Sequence, residues 1–150
     1  MNSETNSAAS ETSRLVGLWL GLWNGDYNRT ESFIRPDFRV HAALTGGGDG
    51  SSIRGPEGLV AWVKEGRTAV PNLEFTAEVG PIAQGDHIVV RWRAEGTYPG
   101  GIPGATAPAG TPVSFTGTDI LRLEGGQAEY WVNSDTPVLL TQLGVMGGGN

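Results

Sequence analysis

Asp119 stands where a carboxylate is costly. In the stretch "SFTGTDILRLEGG", residues 114–126, strand alternation places Phe115, Gly117, Asp119, Leu121 and Leu123 on one face and Thr116, Thr118, Ile120 and Arg122 on the other. An ionised carboxylate on the first, apolar face needs a partner, hydrogen bonds or a wet cavity beside it. Desolvation raises its pKa, which suits a proton-transfer group working near neutrality. The alternative is a structural aspartate bonded to nearby Thr or Trp side chains. His41, in "VHAAL", is either a satisfied core histidine or an acid–base group. Tyr98, in "GTYPG", offers a phenol that donates a hydrogen bond but is a poor base at neutral pH. Trp62, Trp92 and Trp131 wall the core or a pocket, and their indole N–H groups need partners when buried. Trp19 and Trp23, one helical turn apart, read as core.

Other chemistries are poorly served. The 150 residues contain no cysteine, which removes thiolate catalysis, disulfides and cysteine-based zinc sites and fits a reducing interior. Two histidines and dispersed carboxylates show no metal-ligand spacing. "TGGGDG" lacks the lysine and the strand–helix context of a phosphate loop, and reads instead as a mobile flap. His87, in the turn "GDH", reads as exposed. No metal and no cofactor are expected. The net charge is -6, with 16 acidic residues against 10 scattered basic ones, so a nucleic-acid partner is not expected. No apolar run approaches the roughly 20 residues of a membrane span, and "MNSETNSAASETS" lacks the features of a signal peptide. A soluble, cytoplasmic protein is the expectation.

The elements that must position these residues are punctuated plainly. Residues 1–12 read as a disordered lead-in, 13–144 as one domain, and 145–150 as a flexible Gly-rich tail. "SETSRLVGLWLGLW" carries Leu15, Val16, Trp19, Leu22 and Trp23 at helical spacing. A short helix over 29–34 leads into a strand, "PDFRVHAAL". "GPEGLVAWVKEG" is a second long helix, with Pro56 at a first helical position and Leu59, Val60, Trp62 and Val63 as its apolar stripe. Four strand-like runs follow, "LEFTAEVGPIA", "HIVVRWRAEGTY", "PVSFTGTDILRL" and "QAEYWVNSD", and a closing helix that Ser134 or Asp135 could cap. In the second run Ile88, Val90, Trp92 and Ala94 share one face, which leaves Arg91, Arg93 and Glu95 on the outer one. Helices first and strands afterwards give an α+β domain.

The segments "DFRVHAALTG", "PNLEFTAEVGPIAQGDHIVVRWRAEGTYPG" and "GTPVSFTGTDILRLEGGQAEYWVNSDTPVLLTQLG" resemble the SnoaL-like polyketide cyclase family of the nuclear-transport-factor-2-like superfamily, in order, from about Leu15 to Gly144. The resemblance implies a cone-shaped barrel, a curved antiparallel sheet covered by N-terminal helices, around one deep apolar pocket. It implies that His41 faces that pocket, that Tyr98 replaces a histidine, and that Asp119, His41 and Tyr98 are the catalytic set. Trp62, Trp92, Phe115, Leu121, Tyr130, Trp131 and Asn133 would bind substrate, and a homodimer would form through the outer sheet face. The implied activity is a ring-forming or rearranging cyclisation in secondary metabolism, begun by a base removing a proton next to a carbonyl. The chain departs from the family at the base. The typical run Glu-His-Trp-Asp-Val-Val-Asp-Thr reads Glu-Tyr-Trp-Val-Asn-Ser-Asp-Thr here, so the base aspartate falls on Val132, or on Asn133 after a one-residue slip. Asp135 matches a family aspartate at the final helix, where a cap is expected. Epoxide opening and non-catalytic binding are the alternatives, and fold alone does not choose among them.

Overall fold

The computed structural model describes residues 2–44 and 47–145, with side chains from residue 10 onward. Helix α1 (Asn2–Trp23) buries Leu15, Val16, Trp19 and Leu22, the stripe expected from their spacing. It begins earlier than expected: residues 2–12, read as a disordered lead-in, are helical. No glycine or proline stands between Asn2 and Val16 to end the packed helix. Helix α2 (Thr30–Phe33) is one turn that seats Phe33, and strand β1 (Ile34–His41) follows directly. Helix α3 (Gly55–Gly66) has Pro56 in its first turn and buries Leu59 and Val63.

The rest of the chain is a meander. Strands β2 (Glu74–Gln84), β3 (His87–Thr97), β4 (Pro112–Leu123) and β5 (Gln127–Ser134) pair antiparallel in sequence order. The five strands form one curved sheet in the order β1-β5-β4-β3-β2. Two features differ from the expected antiparallel barrel. The β1–β5 pair is parallel, because everything between the two strands serves as the long crossover that parallel neighbours require. The sheet is also not closed: β1 and β2 are its two edges, and helices cover the inner face.

Helix α4 (Thr136–Leu143) ends the fold. Gly144, at φ 77°, takes the left-handed conformation that stops it, and the Val145 N–H returns to the Leu140 carbonyl at 3.0 Å. Of the expected tail only Val145 lies among the described residues.

Strand alternation holds where it was clearest. Ile88, Val90, Trp92 and Ala94 of β3, and Val113, Phe115, Asp119 and Leu121 of β4, are buried on the inner face. Two apolar cores result. One joins α1, β1 and α3 to one end of the sheet, and the other joins the far ends of β2, β3 and β4 to α4.

Candidate active site

The helices and the inner sheet face bound a cavity of about 820 Å³, near the upper end of the roughly 300–1,000 Å³ usual for small-molecule sites. Trp23 of α1 and Trp62 of α3 form one aromatic wall, with Phe75, Trp92 and Phe115 from the sheet continuing it. Leu139, Leu140 and Leu143 of α4 line another side.

Asp119 is set into this cavity and is only 2% exposed. Three neutral donors hold it. Trp19 Nε1 donates to Oδ2 at 2.9 Å, Trp92 Nε1 donates to Oδ1 at 2.9 Å, and the Tyr130 hydroxyl donates to Oδ1 at 3.0 Å. Burial pushes the carboxyl from 3.8 up to about 6, and the three hydrogen bonds oppose burial without cancelling it. Burial, and then the charge of Asp119, push the Tyr130 phenol well above 10.0, so it remains a donor at neutral pH. An ionised carboxylate has about four acceptor positions, and three are taken, leaving one on Oδ2.

Local sequence explains how Trp92 reaches this group. Its strand partner is Gly117, and a Cβ there would lie 2.7 Å from Trp92 Cε2. Glycine at 117 therefore makes room for the indole that bonds Asp119 two residues on.

Of the sequence candidates, Asp119, Trp62, Trp92, Phe115 and Tyr130 line the cavity together. The others lie elsewhere. His41, expected to face the pocket, is on the outer face, because β1 turns Phe38 and Val40 inward and Arg39 and His41 outward. There His41 Nε2 meets Glu129 Oε2 at 2.6 Å, and its ring stacks on Trp131 with centroids 5.1 Å apart. Trp131 is thus also an outer-face residue. Tyr98 is 1% exposed and packs in the second core; its hydroxyl accepts from the Ile102 N–H at 2.9 Å, so it is tied to its own loop. Leu121 belongs to the first core, away from the cavity wall. Asn133 is exposed on the outside, whereas Val132 lines the cavity and pairs in register with Asp119. The register that would bring Asn133 inward is not adopted.

Asp135 holds the N-cap position of α4 without capping it; its Oδ2 accepts from Thr116 Oγ1 at 2.7 Å. Ser134 makes its contact with Thr136 Oγ1, at 3.0 Å. Arg91 and Arg93 lie on the outer face and share Glu78, at 3.0 and 2.7 Å. His87 is half-exposed, 2.8 Å from Asp86. Thr45 and Gly46 of the expected flap lie outside the described residues, and Gly47 reaches the cavity wall. Among the described residues no group of three or more His, Asp or Glu side chains is arranged around a possible metal ion, and no helix is long and apolar enough to cross a membrane.

A family model described as SnoaL-like polyketide cyclase matches residues 13–143. The chain belongs to the SnoaL-like polyketide cyclase family. Similar solved structures agree with this. TsrD from Streptomyces laurentii is 27% identical with a TM-score of 0.71, the match covering 91% of this chain and 97% of that one. IdmH from Streptomyces antibioticus, proposed to be a polyketide cyclase, is 26% identical with a TM-score of 0.75, covering 89% and 99%. A protein of ketosteroid isomerase-like fold from Catenulispora acidiphila, 20% identical with a TM-score of 0.68 over 87% and 92%, shares the fold. The comparison with curated proteins returns no match.

Two residues of this SnoaL-like protein escaped the sequence reading. Trp19 was read as core, yet it supplies one of the three bonds to Asp119. A signal existed: a buried indole needs an acceptor and a buried carboxylate needs donors. Trp23, also read as core, lines the cavity, and among the described residues no acceptor lies within hydrogen-bonding reach of its buried Nε1.

Proposed function

We propose that this SnoaL-like protein is a cofactor-independent enzyme that closes or rearranges a ring in a polyketide-like substrate, with Asp119 as the group that moves the proton. The observation that carries the reading is Asp119 itself: a carboxylate in the wall of a large apolar cavity, held by three neutral donors, with its pKa raised to about 6. A base of this kind takes a proton at neutral pH and gives it back readily. The three donors fix its direction, and the aromatic walls suit a flat, largely apolar substrate.

A second reading, a binding protein without catalysis, is favoured by Val132. It lines the cavity beside Asp119 at the position where the family's typical run carries its aspartate. Epoxide opening by an acid–arginine–acid set has less support, because Arg91 and Arg93 are paired with Glu78 on the outer face.

Mass spectrometry of candidate poly-β-ketone and epoxide substrates, incubated with wild type and Asp119→Asn, separates these readings. An isomeric product with shifted retention, lost in the variant, supports ring closure. Gain of one water indicates hydrolysis, and binding without conversion by either protein supports the carrier.

The reading includes a homodimer. Ile82, Val89, Ile120 and Trp131 lie side by side in register across four strands on the outer face, and Ile82 is 57% exposed. Covering such a row is the usual use of an exposed apolar strip.

A further inference from the structure

The cavity wall has a second polar point, separate from Asp119 and its donors. Tyr130, Val132 and Ser134 of β5 all line the cavity, so strand alternation turns Ser134 to the same inner face as Asp119. Thr136, the first residue of α4, lines it as well, and the two hydroxyl oxygens lie 3.0 Å apart. Neither hydroxyl has another hydrogen-bond partner among the described residues. Each carries one hydrogen and two acceptor positions, and their mutual bond uses one hydrogen and one acceptor, so a hydrogen and several acceptor positions stay open. Both side chains are half-buried, which leaves the pair within reach of a ligand. The corner that carries them is held firmly. Between them, the Asp135 N–H donates to the Thr116 carbonyl at 2.9 Å, and Asp135 Oδ2 accepts from Thr116 Oγ1 at 2.7 Å.

The strand register fixes how far this pair lies from Asp119. Asp119 pairs with Val132 and Gly117 with Ser134, so Ser134 is the diagonal cross-strand neighbour of Asp119, a separation of about 7–8 Å. The floor between them is apolar: Val132 on one strand, and on the other Gly117, whose side-chain space the Trp92 indole fills. We propose that the Ser134–Thr136 hydroxyl pair is a second ligand anchor, and that with Asp119 it selects flat ligands of two fused rings bearing an oxygen at each end. One ligand hydroxyl donates to the open position on Asp119 Oδ2, the ring system lies over Val132, and the far oxygen bonds the hydroxyl pair. Oxygens on neighbouring ring carbons are too close together to reach both points, whereas oxygens across a fused pair of six-membered rings are spaced to do so. Either hydroxyl can act as the donor, so the pair accepts a far ketone or a far hydroxyl alike. The inference concerns binding alone, and it holds whether the bound ligand is converted or only carried.

The probe is 2,6-dihydroxynaphthalene, with its oxygens at opposite ends, and the control is the 2,3 isomer, with its oxygens side by side. Both are titrated by calorimetry at neutral pH. The wild type should bind the 2,6 isomer about tenfold more tightly, the gain expected for one further neutral hydrogen bond. The double variant Ser134→Ala, Thr136→Val removes both hydroxyls at nearly constant volume and should erase that preference by weakening the 2,6 isomer alone. The 2,3 isomer, held at Asp119 by the stronger charge-assisted bond, should stay within about twofold. Either substitution alone frees the remaining hydroxyl from the mutual bond, so each should cost the 2,6 isomer about threefold or less. These titrations read no turnover, so their failure leaves the proton-transfer role of Asp119 to its own experiment. If the double variant does not fold, the wild-type preference between the isomers decides alone. No binding of the 2,6 isomer, equal binding of the two isomers by the wild type, a preference that survives the double variant, or equal weakening of both isomers in it would overturn the proposal.

Discussion

Replacing Asp119 by asparagine should change how stability responds to pH, and the size of the change follows from the site. Below about pH 3.8 the carboxyl is neutral in both the folded and the unfolded chain, so its burial carries no charge penalty. As pH rises, the unfolded chain ionises first, and the folded chain holds its proton until about 6. The folded state therefore binds more protons across that window, and stability falls as pH rises through it, then levels off. The interval from 3.8 to about 6 corresponds to roughly 3 kcal/mol at about 1.36 kcal/mol per pH unit. Asparagine carries no charge at any pH and lacks this fall. It brings a constant offset instead, because its NH₂ must face one of the three donors. Urea unfolding of both proteins from pH 3.5 to 7.5 isolates the effect, since carboxylates held low elsewhere, Glu78 and Asp37 among them, are common to both. The wild-type stability minus that of Asp119→Asn should drop by about 3 kcal/mol, mostly between pH 4 and 6.5. Parallel curves across the whole range would mean that Asp119 titrates as an ordinary carboxylate, and the argument from burial would be refuted.

Other outcomes follow from the same geometry. Gly117→Ala drives a methyl into the Trp92 ring, and should destabilise the protein by about 1–3 kcal/mol in urea melts while weakening the Trp92 bond to Asp119. Val132→Asp places a second carboxylate in the cavity in register with the first, so one of the two should titrate well above the usual carboxylate range in carboxyl-carbon NMR. The same variant should lose stability at neutral pH, and under the carrier reading it should gain exchange of the acidic proton of a bound 1,3-diketone. Ile120→Lys interrupts the outer-face apolar row; under the proposed homodimer, light scattering should report a dimer for the wild type and a monomer for the variant.

The sequence carried most of the fold because its signals were local. The stripe of α3 and the alternation of β3 each depend on residues close in the chain, and so does the conflict between Asp119 and its apolar neighbours. His41 was legible by the same rule, since Val40 is an apolar inward residue and His41 is the next one along. Expectation from the family motif overrode that parity. Tyr98 could not be placed by parity, because β3 ends at Thr97 and the bond from Ile102 N to its hydroxyl decides where the ring goes. The donors on Asp119 come from α1, β3 and β5, with Trp19 100 residues away. No local pattern pairs such groups. The choice between Val132 and Asn133 needed only the facing of β5, but the possible one-residue slip against the family's run left that facing open.

The parallel pairing of β1 with β5 also sets an order in time. Ile34 registers with Gln127 and His41 with Trp131, so more than half of the chain separates the partners. Closing so long a loop before any contact rewards it is slow. During synthesis at about 5–20 residues per second, β1 emerges seconds before the strand it will lie against, and α1, whose Trp19 ring lies 6.2 Å from that of Phe38, and then α3 are its cover in the meantime. The wall that carries Tyr130 and Val132 arrives only with β5, and α4 follows it. The chamber is therefore finished last, after nearly all of the chain that encloses it has been made.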